Sequence, residues 1–352
     1  MSRPARLLGA LSFALLAGAP AQGQTELRRV RVLGAPGGPV DFHQVRAAAF
    51  SGRDLVVLSA GAPALHLFES GRQRSWGARG RGPAELTSPQ NAVWAGNRIL
   101  VRDSELRKIA TYDRSGAFVG SRPLQQGMAV RLEMAGRDTL VELFGQQSRV
   151  VVRLRGTRQD TVLRYESSPE TVHLAAPGAP SLTLPAPYAA QPVWTPLPGG
   201  GIAYWSGQEG HVRLLDASGQ VTARLPLPTT RYAVAAPDRE AWFAASIPTE
   251  IRGQRVFEPV RERARSQVRF PAHFPAVLSL RADPAGGVWV LQTGSAAGQR
   301  WVHLAPGRPA TRIQLPPRQS LLAFGEHEIA ALARDEDDAE SIHVYAHPLR
   351  RP

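Results

Sequence analysis

The chain has no cysteine in 352 residues. That excludes disulfides, cysteine-ligated zinc, a catalytic thiol and a lipid attached through cysteine. Lysine is nearly missing as well: Lys108 is the only one, so the positive charge is carried by arginine. After residue 17 no apolar run reaches the roughly 20 residues that a membrane-crossing helix takes. No His-x-His or His-Glu-x-x-His spacing marks a metal site, and no Gly-x-Ser-x-Gly elbow marks a nucleophile.

What is present is basic, apolar and rich in turn residues. The formal charge is +13, with 33 glycines and 30 prolines spread along the chain. Alanine, arginine, glycine and proline are high together, as a GC-rich coding genome produces. That reads as arginine scattered over solvated strand faces. Nucleic-acid binding asks for clustered arginine with interleaved aromatics. Only two local groups exist, Arg72, Arg74, Arg79 and Arg81, then Arg261, Arg263, Arg265 and Arg269, and neither sits in a motif. Nucleic acid is therefore disfavoured as a partner, and an anionic polymer or surface stays open.

The first residues read as an export signal. Arg3 and Arg6 precede the apolar run Leu7 to Ala17, and Ala19-Pro20-Ala21 supplies an A-x-A cleavage site. Residues 1–21 are expected to be removed. The mature chain, 22–352, is expected in the periplasm or outside the cell with a charge of +11, since two arginines leave with the signal.

One phrase recurs downstream: a pair of turn residues, then an apolar run. It reads Arg53-Asp54-Leu55-Val56-Val57-Leu58, then Asn97-Arg98-Ile99-Leu100-Val101, then Arg137-Asp138-Thr139-Leu140-Val141. It returns at Gly200 to Trp205, Gly286 to Leu291 and His327 to Leu332. A second, alternating phrase ending in a turn follows each copy, as in Ile109 to Gly116 and Val212 to Gly219, and a third, outer strand follows that. Period-two alternation with tight turns means half-buried strands in hairpins. Several strands per repeat of roughly 40 residues is the signature of a propeller blade. The fold class is therefore all-β, a six-bladed β-propeller in one domain. A degenerate seventh blade is the variant left open.

Two gaps are too long. Glu166 to Ala190 is read as a long loop or an extra hairpin. Residues 237–269 are read as a helical insertion: Asp238 stands as an N-cap before helix formers, and Pro259 suits a first helical position. The last blade lacks an outer strand. The alternating segment Leu27 to Val32 can supply it and close the ring, which removes an exposed edge.

The stretch Trp76 to Leu86, with Gly77, Gly80, Gly82, Pro83 and Glu85, leads through Asn91 to Val101, Asp103, Lys108-Ile109 and Tyr112-Asp113-Arg114-Ser115-Gly116. This resembles the NHL-type blade. Phe270 to Pro275 followed by Asp283 to Val290 is similar to a blade start in bacterial six-bladed, exported propellers of that group. The match covers about one and a half blades. Ala84 and Arg102 depart from its usual residues. The resemblance implies a fold, and it names neither a reaction nor a cofactor.

Several residues are candidates for chemistry. Arg72, Arg74, Arg79, Arg81 and Asp103 are the candidate binding residues, although an aspartate ending a strand commonly satisfies turn amides. His211, His303 and His343 lie in strands of different blades. The resemblance implies that such side chains can converge on a metal, as in NHL-type lyases and six-bladed lactonases. The run Asp335 to Asp338 with Glu340 reads as a solvated hairpin tip. It lacks the glycine and alternation of a calcium loop. The expected function is a binding or scaffold propeller that takes an unidentified protein or small ligand at one rim. The alternative is a metal-dependent hydrolase or lyase with its site in the central channel.

Overall fold

The computed structural model describes residues 24–350, apart from 35–36, 125–127, 146–147, 157, 167–169, 176–180, 248–257, 285 and 296. The expected export signal, 1–21, lies outside the described residues.

Six four-stranded antiparallel sheets form the ring. Blade one runs through Val45–Ser51, Asp54–Ser59, Leu65–Glu69 and Arg72–Trp76. Blade two uses Pro89–Ala95, Arg98–Asp103, Lys108–Asp113 and Phe118–Pro123. Blade three uses Met128–Ala135, Asp138–Phe144, Ser148–Arg155 and Arg158–Glu166. Blade four uses Val193–Pro196, Ile202–Trp205, His211–Leu215 and Val221–Pro226, and blade five Ser279–Ala282, Val288–Ser295, Gly298–Leu304 and Thr311–Gln314. Blade six takes Gln319–Phe324, Glu328–Arg334 and Glu340–Ala346, and its outer strand is the first strand of the chain, Arg29–Leu33.

That first strand pairs antiparallel with Glu340–Ala346, so the seam joins two distant parts of the chain. A buried carboxylate adds to it: Glu340 Oε2 accepts from the Val45 amide of blade one at 2.5 Å. The acidic run before it is a turn, in which Asp335 Oδ1 accepts from the amides of Asp337 and Ala339.

The recurring apolar phrase is the second strand of each blade, sealed between neighbours. Leu55, Ile99, Leu140, Ile202, Val288 and Ile329 are all fully buried. Burying a side chain of that size contributes about 1.5–3 kcal/mol. The strands alternate in direction, so every innermost strand starts on one face, here the leading rim, and ends on the trailing rim. Both insertions connect an outer strand to the next innermost one, which places them together on the leading rim.

The long gap after blade three is a hairpin, Thr171–Leu174 paired with Leu182–Pro185. The one after blade four holds α1 (Ala236–Ser246) and α2 (Glu258–Gln267). Hairpin and helices share a small core of Leu174, Phe243, Ile247, Val260, Ala264 and Val268. Asp238 is not the N-cap residue. Helix α1 begins two residues earlier, with Ala235 at the cap and Pro237 in the first turn, and the Asp238 carboxylate reaches back to the Ala235 amide at 2.8 Å. Proline there sets φ and needs no amide partner, so the helix starts before the first capping side chain.

Candidate functional site

The innermost strands of the six blades wall a central channel with a cavity of about 300 Å³. Small residues dominate the wall from blade one, where Ala47, Ala48 and Ala49 stand in a row. The charged groups are few and unbalanced. Arg46, Glu133 and Arg281 line the cavity. Arg131 stands next to them, on the same strand as Glu133, and donates from Nε to the Glu133 carboxylate at 2.8 Å.

Three guanidiniums thus face one carboxylate, and their bonds leave capacity over. Arg131 Nη1 donates to the Trp194 carbonyl at 2.7 Å, and the guanidinium lies 4.7 Å from the Trp194 ring. Its Nη2 is buried without a hydrogen-bond partner. Arg281 has one long contact, Nη1 to the neighbouring Leu280 carbonyl at 3.4 Å. Withdrawal from water draws the Arg281 guanidinium below its ordinary value, the charge of Arg131 pushes the same way, and the Glu133 carboxylate opposes them in part. Arg281 is half-buried, and a cation partly withdrawn from water and short of partners gains from a bound anion.

Four innermost strands carry a bulge near their start, where Arg46, Gln90, Val130 and Leu322 are the extra residues. A bulge turns one side chain out of the two-residue alternation. Gln90 and Val130 help line a second cavity on the leading rim between blades two and three, about 660 Å³. Its deeper charged groups are committed to the fold. Asp103 is fully buried and accepts from the amides of Thr87 (2.7 Å), Ser88 (3.2 Å) and Leu106 (2.9 Å). Arg102 donates to Asn91 Oδ1 at 3.0 Å and the Ala129 carbonyl at 2.7 Å.

The arginine group of blade one does not form one patch. Arg72 and Arg74 lie on its outer strand, with Arg74 paired to Glu69 at 2.6 Å. Arg79 and Arg81 lie in the loop beyond, on the leading rim; Arg81 is exposed and stands 3.6 Å from Glu105. The glycine loop they flank is a connector. Lys108 Nζ donates to the carbonyls of Gly82 (3.1 Å) and Pro83 (2.8 Å), and the Tyr112 hydroxyl to that of Ala84 at 2.7 Å.

The three histidines are kept apart on the third strands of blades four, five and six. His211 stands 3.2 Å from Glu209, and His343 Nδ1 is 3.2 Å from the Gln319 amide. His303 has buried company. Its Nε2 donates to the Gly286 carbonyl at 3.1 Å and lies 3.4 Å from Asp283 Oδ2. His347, which the sequence reading passed over, lies 3.5 Å from the same oxygen, and Trp289 Nε1 donates to it at 2.9 Å. Trp289 stacks on Phe324, 4.9 Å between centroids and 7° between planes. Gly287 has φ +92°, and a side chain there would collide with the Leu304 carbonyl and His303. Burial holds both histidines below their ordinary value. This group ties blade five to blade six. Among the described residues no three histidine, aspartate or glutamate side chains are grouped to hold a metal ion.

No family model matches the chain, and no curated protein matches it in sequence. Solved six-bladed propellers match it in fold. A protein of Bacteroides fragilis thought to be exported is 10% identical with a TM-score of 0.50, over 92% of this chain and 94% of that one. Virginiamycin B lyase from Staphylococcus aureus is 9% identical (TM-score 0.47; 92% and 100% covered). The calcium-binding protein regucalcin from Agrobacterium tumefaciens is also 9% identical (TM-score 0.43; 90% and 95% covered). At such identities the likeness is one of fold.

Proposed function

We propose that this protein is an exported, NHL-like binding propeller that takes a small anion in its central channel. The observation that carries this is the pairing of Arg281, left with one long backbone contact, with Arg131, whose Nη2 is buried without a partner. A carboxylate or phosphate group matches the planar, multiply donating guanidinium. Glu133, the one carboxylate lining the cavity among the described residues, is already engaged by Arg131 and leaves the site net positive. Field focusing in a low-dielectric channel adds to the attraction.

The alternative, a metal-dependent hydrolase or lyase of the channel, has no ligand set among the described residues to carry it. The test is calorimetric titration of the mature protein with malonate and with inorganic phosphate. Saturable binding that weakens at least about tenfold in Arg281→Gln is expected, the loss of one charge-assisted contact. Equal binding by wild type and variant, or none by either, overturns the proposal.

A further inference from the structure

A second site, independent of the channel, lies at the outer edge of blade five on the leading rim. Its cavity holds about 330 Å³ and is lined by Gln24, Thr230, Tyr232, Gln292, Arg300, Trp301, Arg312, Ile313 and Gln314. That volume is at the small end of sites for small molecules, about 300–1,000 Å³.

Gln292 is the residue that marks it. The strand Val288–Ser295 shifts register between Leu291 and Thr293, so Gln292 is the extra residue of a bulge. It is 3% exposed, and no hydrogen bond ties its amide to a described residue. The side chain is buried but its amide atoms are not sealed from the cavity, and a bulge re-aims a side chain in the way that binding edges use. The amide opens on the cavity, where a ligand can meet both its donor and its acceptor.

The other groups set the chemistry. Arg300 and Arg312 have no carboxylate partner among the described residues. The Arg300 guanidinium lies over the Tyr232 ring at 4.8 Å, which fixes its plane and leaves its edge free to donate. Trp301 is held by its own bond to Gln299 Oε1 at 3.0 Å and forms an apolar floor with Ile313. Gln314 is fixed by donation to the Ala297 carbonyl at 3.0 Å. Two cations, several amides and aromatic walls suit a ligand that joins a carboxylate to a ring of hydroxyls.

We infer that this groove binds a small hydroxylated carboxylate of the uronic-acid type, with the carboxylate on Arg300 and Arg312 and hydroxyls on Gln292. The experiment is titration of the mature protein with D-glucuronate, D-glucose and inorganic phosphate, by calorimetry and by the side-chain amide and indole NMR signals. Glucuronate is expected to shift the Gln292 and Trp301 signals saturably, apart from any carboxylate uptake in the channel. Glucose is expected to bind at least about tenfold more weakly. Gln292→Leu and Arg300→Gln should each weaken the glucuronate titration read at the Trp301 indole at least about tenfold, while Arg81→Ala leaves it unchanged. No glucuronate shift at the Trp301 indole, an equal shift there by glucose, a stronger shift there by phosphate, or an undiminished shift in both groove variants would overturn the assignment. Loss of binding in Arg281→Gln with both groove variants unaffected would do so as well, and would move glucuronate to the channel.

Discussion

At the seam between blades five and six, Asp283 is fully buried and meets the indole of Trp289 and the rings of His303 and His347. In the channel, Arg281 is drawn out of water beside a second cation and finds one long contact. Both regions bury ionisable groups in the same ring. The seam commits one carboxylate to an indole and two rings, with His347 Nε2 left buried without a hydrogen bond, whereas the channel gathers cations and one carboxylate around a cavity. An excess of one charge around a cavity, rather than an unpaired atom as such, is what points to a binding site.

Substitutions should pull the two regions apart. Asp283→Ala is expected to have the largest effect, since it strands the buried Trp289 indole donor and removes the carboxylate beside two rings. A loss of about 1–3 kcal/mol follows from the unpaired donor, read from the urea midpoint. Anion binding by the protein that remains folded should be unaltered. A loss under 1 kcal/mol would mean that the seam is not structural.

Arg281→Gln should behave in the opposite way. Removing a half-buried, poorly paired cation is expected to leave stability unchanged or to raise it by up to about 1 kcal/mol. A thermal scan without added anion checks this, and a marked fall in midpoint would return Arg281 to the structural class.

The next effect is one of pH. Burial lowers the folded-state value of His303 and His347, and of His66 and His343 as well. The unfolded chain therefore binds protons first as pH falls through about 6.5, the ordinary histidine value. Stability is fully present above that pH and declines below it. The double variant His303→Gln, His347→Gln should flatten the decline in part, because His66 and His343 keep their share. An unaltered slope in the variant would remove the seam from the account of acid lability.

The smallest effect is expected at Arg81. Its contact with Glu105 is exposed and 3.6 Å long, so Arg81→Ala should shift stability by less than about 1 kcal/mol. It should also leave malonate binding unchanged in calorimetry, and weakened binding would move the site to the leading rim.

The sequence disclosed the second, third and most outer strands of the ring because their alternation and their turns are regular. The closing role of Leu27 to Val32 followed from the missing strand of blade six. The innermost strands were illegible as a set. Bulges at Arg46, Gln90, Val130 and Leu322 break their alternation, and their mixed exposure to the channel removes the apolar signal. Since those strands build the channel, Arg131 and Arg281 were missed. Asp103 looked like a site residue by its position in the NHL-like motif, yet its oxygens are taken by three amides. His303 was singled out without its partners, because Asp283 and His347 lie 20 and 44 positions away in sequence and meet only through closure of the ring. Gln292 carried one signal, a polar residue where alternation within Val288 to Ser295 breaks, and that signal was readable in retrospect.

The most direct measurement is a crystal structure of the mature protein grown with malonate or inorganic phosphate. The account predicts an anion in the channel held by both Arg131 and Arg281. A channel filled by water alone, with the anion elsewhere or nowhere, would contradict it.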